Sequence, residues 1–157
     1  MQKITPFLWF DTQAEEAAEF YVSIFKNSKI LGKTYYGEAG PGPAGSVLTV
    51  SFQLEGQQFV ALNGGPHFTF SEAISFEVDC LDQAEVDELW RRLTDGGEES
   101  MCSWLKDKFG LSWQIIPRGL NEMLSSPDVE KAARAMQAML QMHKIDLAKI
   151  RQAYDGL

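Results

Sequence analysis

Thr12-Gln13-Ala14-Glu15 returns further along the chain as Asp82-Gln83-Ala84-Glu85. At the same separation Ile4-Thr5 returns as Ile74-Ser75, and Phe20 as Trp90. Each copy reads as a short strand, a cap, an amphipathic helix and then further strands. Thr12 and Glu15 have capping-box spacing, in which the hydroxyl accepts a free backbone N–H and the carboxylate reaches back. Ala14, Ala17, Ala18, Tyr21, Ile24 and Phe25 follow at helical spacing. A unit repeated in this way implies two similar halves, because one half cannot bury its apolar side alone.

Working outward from the repeat, Ile4 to Phe10 is apolar throughout and reads as a strand buried on both sides. Lys29 to Tyr36 reads as a strand. Val47 to Leu54 alternates with period two and pairs through a turn at Glu55-Gly56-Gln57 with Gln58 to Asn63. The second half predicts a strand at Ile74–Cys80, a helix at Asp82–Asp95 stopped by Gly96-Gly97, and strands at Met101–Lys106 and Leu111–Ile116. Glu98 to Ser100 suits a short extra strand. Beyond Pro117 the pattern turns helical. Ser126-Pro127 reads as a cap with proline at the first helical position, and Asp146 to Tyr154 as a last short helix. The expected architecture is α+β: two tandem βαβββ modules, at about 1–64 and 72–117, with a helical appendage at about 118–157, in a single domain.

The chain has 157 residues and a formal charge of −8. That acidity, with no Lys/Arg cluster, argues against nucleic acid and anionic membranes as partners. No apolar run is long enough for a membrane span, and the first residues show no apolar targeting core. Two cysteines, Cys80 and Cys102, suit a reduced, cytoplasmic setting better than a disulfide framework.

Gly40-Pro41-Gly42-Pro43-Ala44-Gly45 matches G-x-G-x-x-G literally. A phosphate-binding version would open a helix, whereas a strand follows here and the prolines remove N–H donors. The reading is therefore a loop between strands. Glu38-Ala39-Gly40-Pro41-Gly42 also mimics the glycine-rich loop of S-adenosylmethionine enzymes and fails on the same ground.

His67 lies in the crossover between halves and could serve as a base or an anion contact. With no visible carboxylate or nucleophile partner, a loop histidine is the favoured reading. Glu77 and Asp79 share one side of their strand with Ser75, although Asp79 could equally cap the next helix. Trp9, Trp104 and Trp113 sit on core strands, where such rings stack on a planar ligand or simply fill the interior. Gln114 is a polar amide in an otherwise apolar strand and needs a partner, either a ligand or a neighbouring side chain. Met136, Met139 and Met142 form a stripe suited to packing on the body or on a second subunit. His143, near the end of the long appended helix, is assigned no chemistry.

Leu62-Asn63-Gly64-Gly65-Pro66-His67-Phe68, Ser75-Phe76-Glu77-Val78-Asp79-Cys80 and Trp104 through Ile115 resemble the vicinal oxygen chelate (glyoxalase/bleomycin-resistance) superfamily. Within it the chain resembles the PhnB-like branch labelled "3-demethylubiquinone-9 3-methyltransferase-like". The likeness extends into Glu130-Lys131-Ala132-Ala133-Arg134 and so over essentially the whole chain. The resemblance implies a cupped sheet in each half, a cavity between the halves and a homodimer. Metal-dependent members hold one His or Glu on each of four strands. Those positions fall here near Pro6, Leu62 or Asn63, Ala73 and Gln114, none of them His or carboxylate, so no metal and no cofactor is expected.

Gln114, Ser75, Asn63, Glu77, His67 and Trp104 are the candidate ligand-binding residues, for a small apolar or aromatic molecule. Whether it is transformed stays open. The alternatives are a metal-dependent lyase, isomerase or dioxygenase, and the methyltransferase of the family label.

Overall fold

The computed structural model describes residues 2–157, which divide into two compact units, one ending at Phe70 and the other spanning Ser71–Leu157. The first unit runs β1 (Phe7–Phe10), α1 (Ala14–Ile24), β2 (Lys29–Tyr35), β3 (Val47–Leu54) and β4 (Gln57–Asn63). Its sheet has the order β1-β4-β3-β2. β1 and β4 are parallel, and the other neighbours are antiparallel.

Period two fixes which side is packed. Phe52 faces Phe59 across β3 and β4, and Tyr21 of α1 stacks on Phe52 with ring centroids 6.2 Å apart. Leu8, Phe10, Val50, Phe52, Phe59 and Ala61 are all buried on that side. The opposite side carries Phe7, Trp9, Thr49 and Ser51. β1 is thus not buried on both sides: Phe7 is 61% exposed and Trp9 half-buried, because only one side of the sheet meets α1. The β3–β4 turn needs only two residues, Glu55 and Gly56, both at positive φ, the mirror-image turn that matches strand twist.

The second unit repeats the order: β5 (Ser75–Cys80), α2 (Gln83–Thr94), β6 (Glu98–Glu99), β7 (Trp104–Lys106) and β8 (Ser112–Pro117) form a sheet ordered β5-β8-β7-β6. Val86, Leu89, Trp90 and Leu93 form the buried stripe of α2. Two α+β modules of identical strand order are therefore present, as the repeat implies. β7 is shorter than its alternation suggests, because Cys102 and Ser103 adopt left-handed backbone and break the strand. The β7–β8 connection is organised by Asp107, only 2% exposed. Its carboxylate accepts from the Phe109 and Leu111 amides at 2.9 and 3.1 Å and from Trp113 Nε1 at 2.9 Å.

The two helix starts differ. Asp82 accepts from the Glu85 amide at 2.9 Å while Glu85 accepts from the Leu81 amide at 2.7 Å, so α2 is capped from within its own neighbourhood. Thr12 does not cap α1. The Ala14 amide donates instead to Asn63 Oδ1 at 2.8 Å, from the end of β4. Asp79 caps nothing either, and its carboxylate pairs with Arg118.

After β8 come α3 (Leu120–Leu124), α4 (Val129–Met139) and α5 (Leu147–Asp155). Asp128, not Ser126, caps α4, accepting from the Lys131 amide at 3.1 Å. Ile116, Leu120, Met123, Ala135, Ile145 and Ile150 make one buried cluster, with Met139 and Met142 packed against it and Met136 partly exposed. This appendage is bonded to the sheet. Cys102 and Ser103 donate their amides to the Met142 and His143 carbonyls, and Gln83 bonds both the Ile145 carbonyl and the Leu147 amide. His143 lies beyond the end of α4, with its Nδ1 at 2.9 Å from the Ser100 carbonyl. Among the described residues no helix is long and apolar enough to cross a membrane.

Candidate functional site

The register of the second sheet collects four candidate residues on one side. Ser75 lies opposite Ser112, Glu77 opposite Gln114, and Trp104 opposite Gln114 from the other flank. Because side chains alternate, Glu77, Gln114 and Trp104 form a row across three strands. Ser75, Ser112 and Lys106 form the next row. Phe76, Trp113, Ile115 and Leu105 point to the other, packed side, where Phe76 meets Trp113 edge-on at 5.6 Å.

Gln114 Nε2 donates to Ser75 Oγ at 2.9 Å, which holds the amide in the sheet surface. Glu77 is exposed, whereas Trp104 and Gln114 are half-buried. Lys106 pairs with Glu72, and this hydrogen bond raises the Lys106 pKa and lowers that of Glu72. Ser112 is 1% exposed, and its hydroxyl has no hydrogen-bond partner. An enclosed hydroxyl left unsatisfied costs about 1–3 kcal/mol, and this one lies beneath the open side of the sheet rather than on it. The arrangement offers an indole plane, an amide, a carboxylate and a hydroxyl, beside the Lys106–Glu72 ion pair.

Asn63 and His67 belong to the first unit. Both line a hollow of about 450 Å³ at the end of its sheet. The Asn63 amide is occupied: Oδ1 caps α1 and Nδ2 donates to the Val47 carbonyl at 3.0 Å. His67 is exposed. The Gly/Pro segment lies beside them as the hairpin loop between β2 and β3, closed by Tyr36 and Ser46 backbone bonds, and no helix follows it. Gly40 and Gly42 make room for Tyr36: a Cβ on Gly42 would lie 2.6 Å from the ring, and the ring hydroxyl donates to the Asn63 carbonyl.

This doubled sheet order is matched by a known family. The family model for 3-demethylubiquinone-9 3-methyltransferase matches residues 2–116. The chain belongs to this PhnB-like family. The PhnB protein of Bacillus cereus is 39% identical, over 74% of this chain and 99% of its own, with a TM-score of 0.68. PA1353 of Pseudomonas aeruginosa, at 19% identity and a TM-score of 0.61, shares the fold over 74% of this chain and 98% of its own. The fosfomycin resistance protein FosX of Listeria monocytogenes shares it at 14% identity and a TM-score of 0.52, over 78% and 97%. No curated protein matches. The family model ends at Ile116, so the likeness does not extend over the whole chain: α3 to α5 lie outside it.

The positions that the resemblance assigns to metal ligands offer few donor atoms to a divalent ion. Pro6 offers only its carbonyl, which accepts from the Val60 amide. Leu62 and Ala73 have no side-chain donor atoms. The Asn63 amide is taken by α1 and β3, and Gln114 donates to Ser75. Among the described residues no three His, Cys, Asp or Glu side chains converge as an ion needs.

Proposed function

We propose that this PhnB-like protein binds a small apolar or aromatic molecule on the open side of the second sheet, without a divalent metal. Trp104 supplies the stacking plane, and Gln114, held by Ser75, supplies an orienting amide. Glu77 marks the polar edge. The observation that carries this reading is the row Glu77–Gln114–Trp104, with the Gln114 amide held by Ser75. By its family the protein is expected to pair as a homodimer, which light scattering during size exclusion would test.

The test uses 2-naphthol, a planar aromatic with one hydroxyl, titrated into ¹⁵N-labelled protein. The Trp104 indole and Gln114 amide resonances should shift saturably. Trp104→Ala and Gln114→Ala should each weaken the affinity by about tenfold, given about 1–1.5 kcal/mol for a stacking contact or a hydrogen bond. Unmoved resonances would reject the site. Stoichiometric metal in protein purified without chelator, with binding lost on chelation, would replace this reading by a metal-dependent lyase, isomerase or dioxygenase. Calorimetric binding of S-adenosylmethionine would replace it by methyl transfer.

A further inference from the structure

The hollow of the first unit is a different site with a different chemistry. It lies where the parallel strands β1 and β4 end, between the start of α1 and the β2–β3 loop. At about 450 Å³ it falls within the usual 300–1,000 Å³ range of small-molecule pockets. Its walls are compact and apolar: Pro41, Pro43, Pro66, Val47 and the Tyr36 ring. That ring is fixed at both ends, by its hydroxyl on the Asn63 carbonyl and by the close approach of Gly40 and Gly42.

The charge of the lining selects the ligand. Asp11 and Glu15 are its carboxylates, and His67 is its one other titratable side chain apart from the Tyr36 phenol. Glu15 already shares Lys33, which leaves Asp11 as an exposed carboxylate at the mouth. The start of α1 does not compensate for these charges. Its Ala14 amide is consumed by Asn63, and Glu15 and Glu16 occupy the first turn, so an anion would meet repulsion. Thr12 and Ser46 add hydroxyl acceptors.

We propose that this hollow binds a small organic cation, an ammonium group on a compact apolar body, with Asp11 as its counter-ion and the proline–tyrosine wall as its apolar contact. Carboxylate with aromatic and aliphatic walls is how proteins hold ammonium groups.

Benzylammonium chloride and sodium benzoate are matched probes of opposite charge. Each is titrated into the ¹⁵N-labelled full chain, and the reporters are the Gly42, Gly64 and Gly65 amides and the Trp9 indole, whose Nε1 donates to the Gly65 carbonyl at 2.9 Å. Benzylammonium should shift these resonances saturably and benzoate should not. Asp11→Asn should weaken benzylammonium by about tenfold, the loss of one charge-assisted contact at an exposed site. Asp95→Asn, an exposed carboxylate on the other unit, should leave it unchanged. The proposal fails if no saturable shift occurs, if benzoate binds equally well, if Asp11→Asn has no effect, or if the shifts fall on Gln114 and Trp104 instead.

Discussion

Replacing Asn63 by alanine tests whether this residue is a structural cap rather than a ligand contact. The substitution removes two bonds: Oδ1 from the Ala14 amide at 2.8 Å and Nδ2 from the Val47 carbonyl at 3.0 Å. Loss of a helix cap costs about 1 kcal/mol. Loss of a side-chain bond to a partly buried carbonyl costs about the same. Asn63→Ala should therefore destabilise by about 2 kcal/mol, which at a urea m-value near 2 kcal/mol/M moves the midpoint down by about 1 M. Asn63→Asp keeps the cap acceptor and places a negative charge at a helix N-terminus, while turning a carboxylate oxygen toward the Val47 carbonyl. It should retain protection of the Ala14 amide against hydrogen exchange, which Asn63→Ala should abolish. An Asn63→Ala protein within about 0.5 kcal/mol of the parent, with the Ala14 amide still protected, would refute the capping role.

Other outcomes follow from single contacts. Asp107→Ala strips the acceptor from two amides and an indole inside the second unit, and denaturant titration should show a loss of about 3 kcal/mol with a shifted Trp113 emission. Gly97→Ala places a Cβ against the Lys106 carbonyl oxygen and should pry β6 from β7, read as lost protection of the Ser100 amide, which donates to the Trp104 carbonyl across that ribbon. Burial pushes the Cys80 thiol up to about 12, so at pH 8 a thiol reagent should label Cys102 in the native protein and Cys80 only after unfolding. The unfolded thiol ionises near 8.5, so the stabilising effect of keeping Cys80 protonated is complete below that pH and is lost as pH rises toward about 12. Cys80→Ala should flatten the fall in stability measured between pH 8 and 10.

The helix starts show what a linear sequence makes legible. The Asp82 and Glu85 bonds lie within four residues and follow from spacing alone. The acceptor for Ala14 arrives from 49 residues away, and no local pattern announces it, so Thr12 looked like the cap. Strand periodicity located the central strands to within a residue or two. It overextended β1 and β7, because solvent on one side of the sheet and left-handed backbone at Cys102 and Ser103 do not register in hydropathy. α3, only five residues long, starts from Gly119 at φ 95° and leaves too short a pattern to read. Alternation placed Ser75 and Glu77 on one side, but their meeting with Gln114 and Trp104 depends on strand pairing between distant segments. The hollow of the first unit draws Asp11, Tyr36, Ser46 and His67 from separate connections, and no single stretch of sequence announces it.

The bonds from Met142 and His143 to Cys102 and Ser103 make the carboxy-terminal helices part of the second sheet's foundations. Cutting the chain after Pro117 would orphan two amide donors in a bend that already sits in unfavourable backbone, and would bare Ile116 to water. The damage would spread into the β6–β7 ribbon instead of stopping at the cut, so the end of the family match is not a safe place to divide this protein.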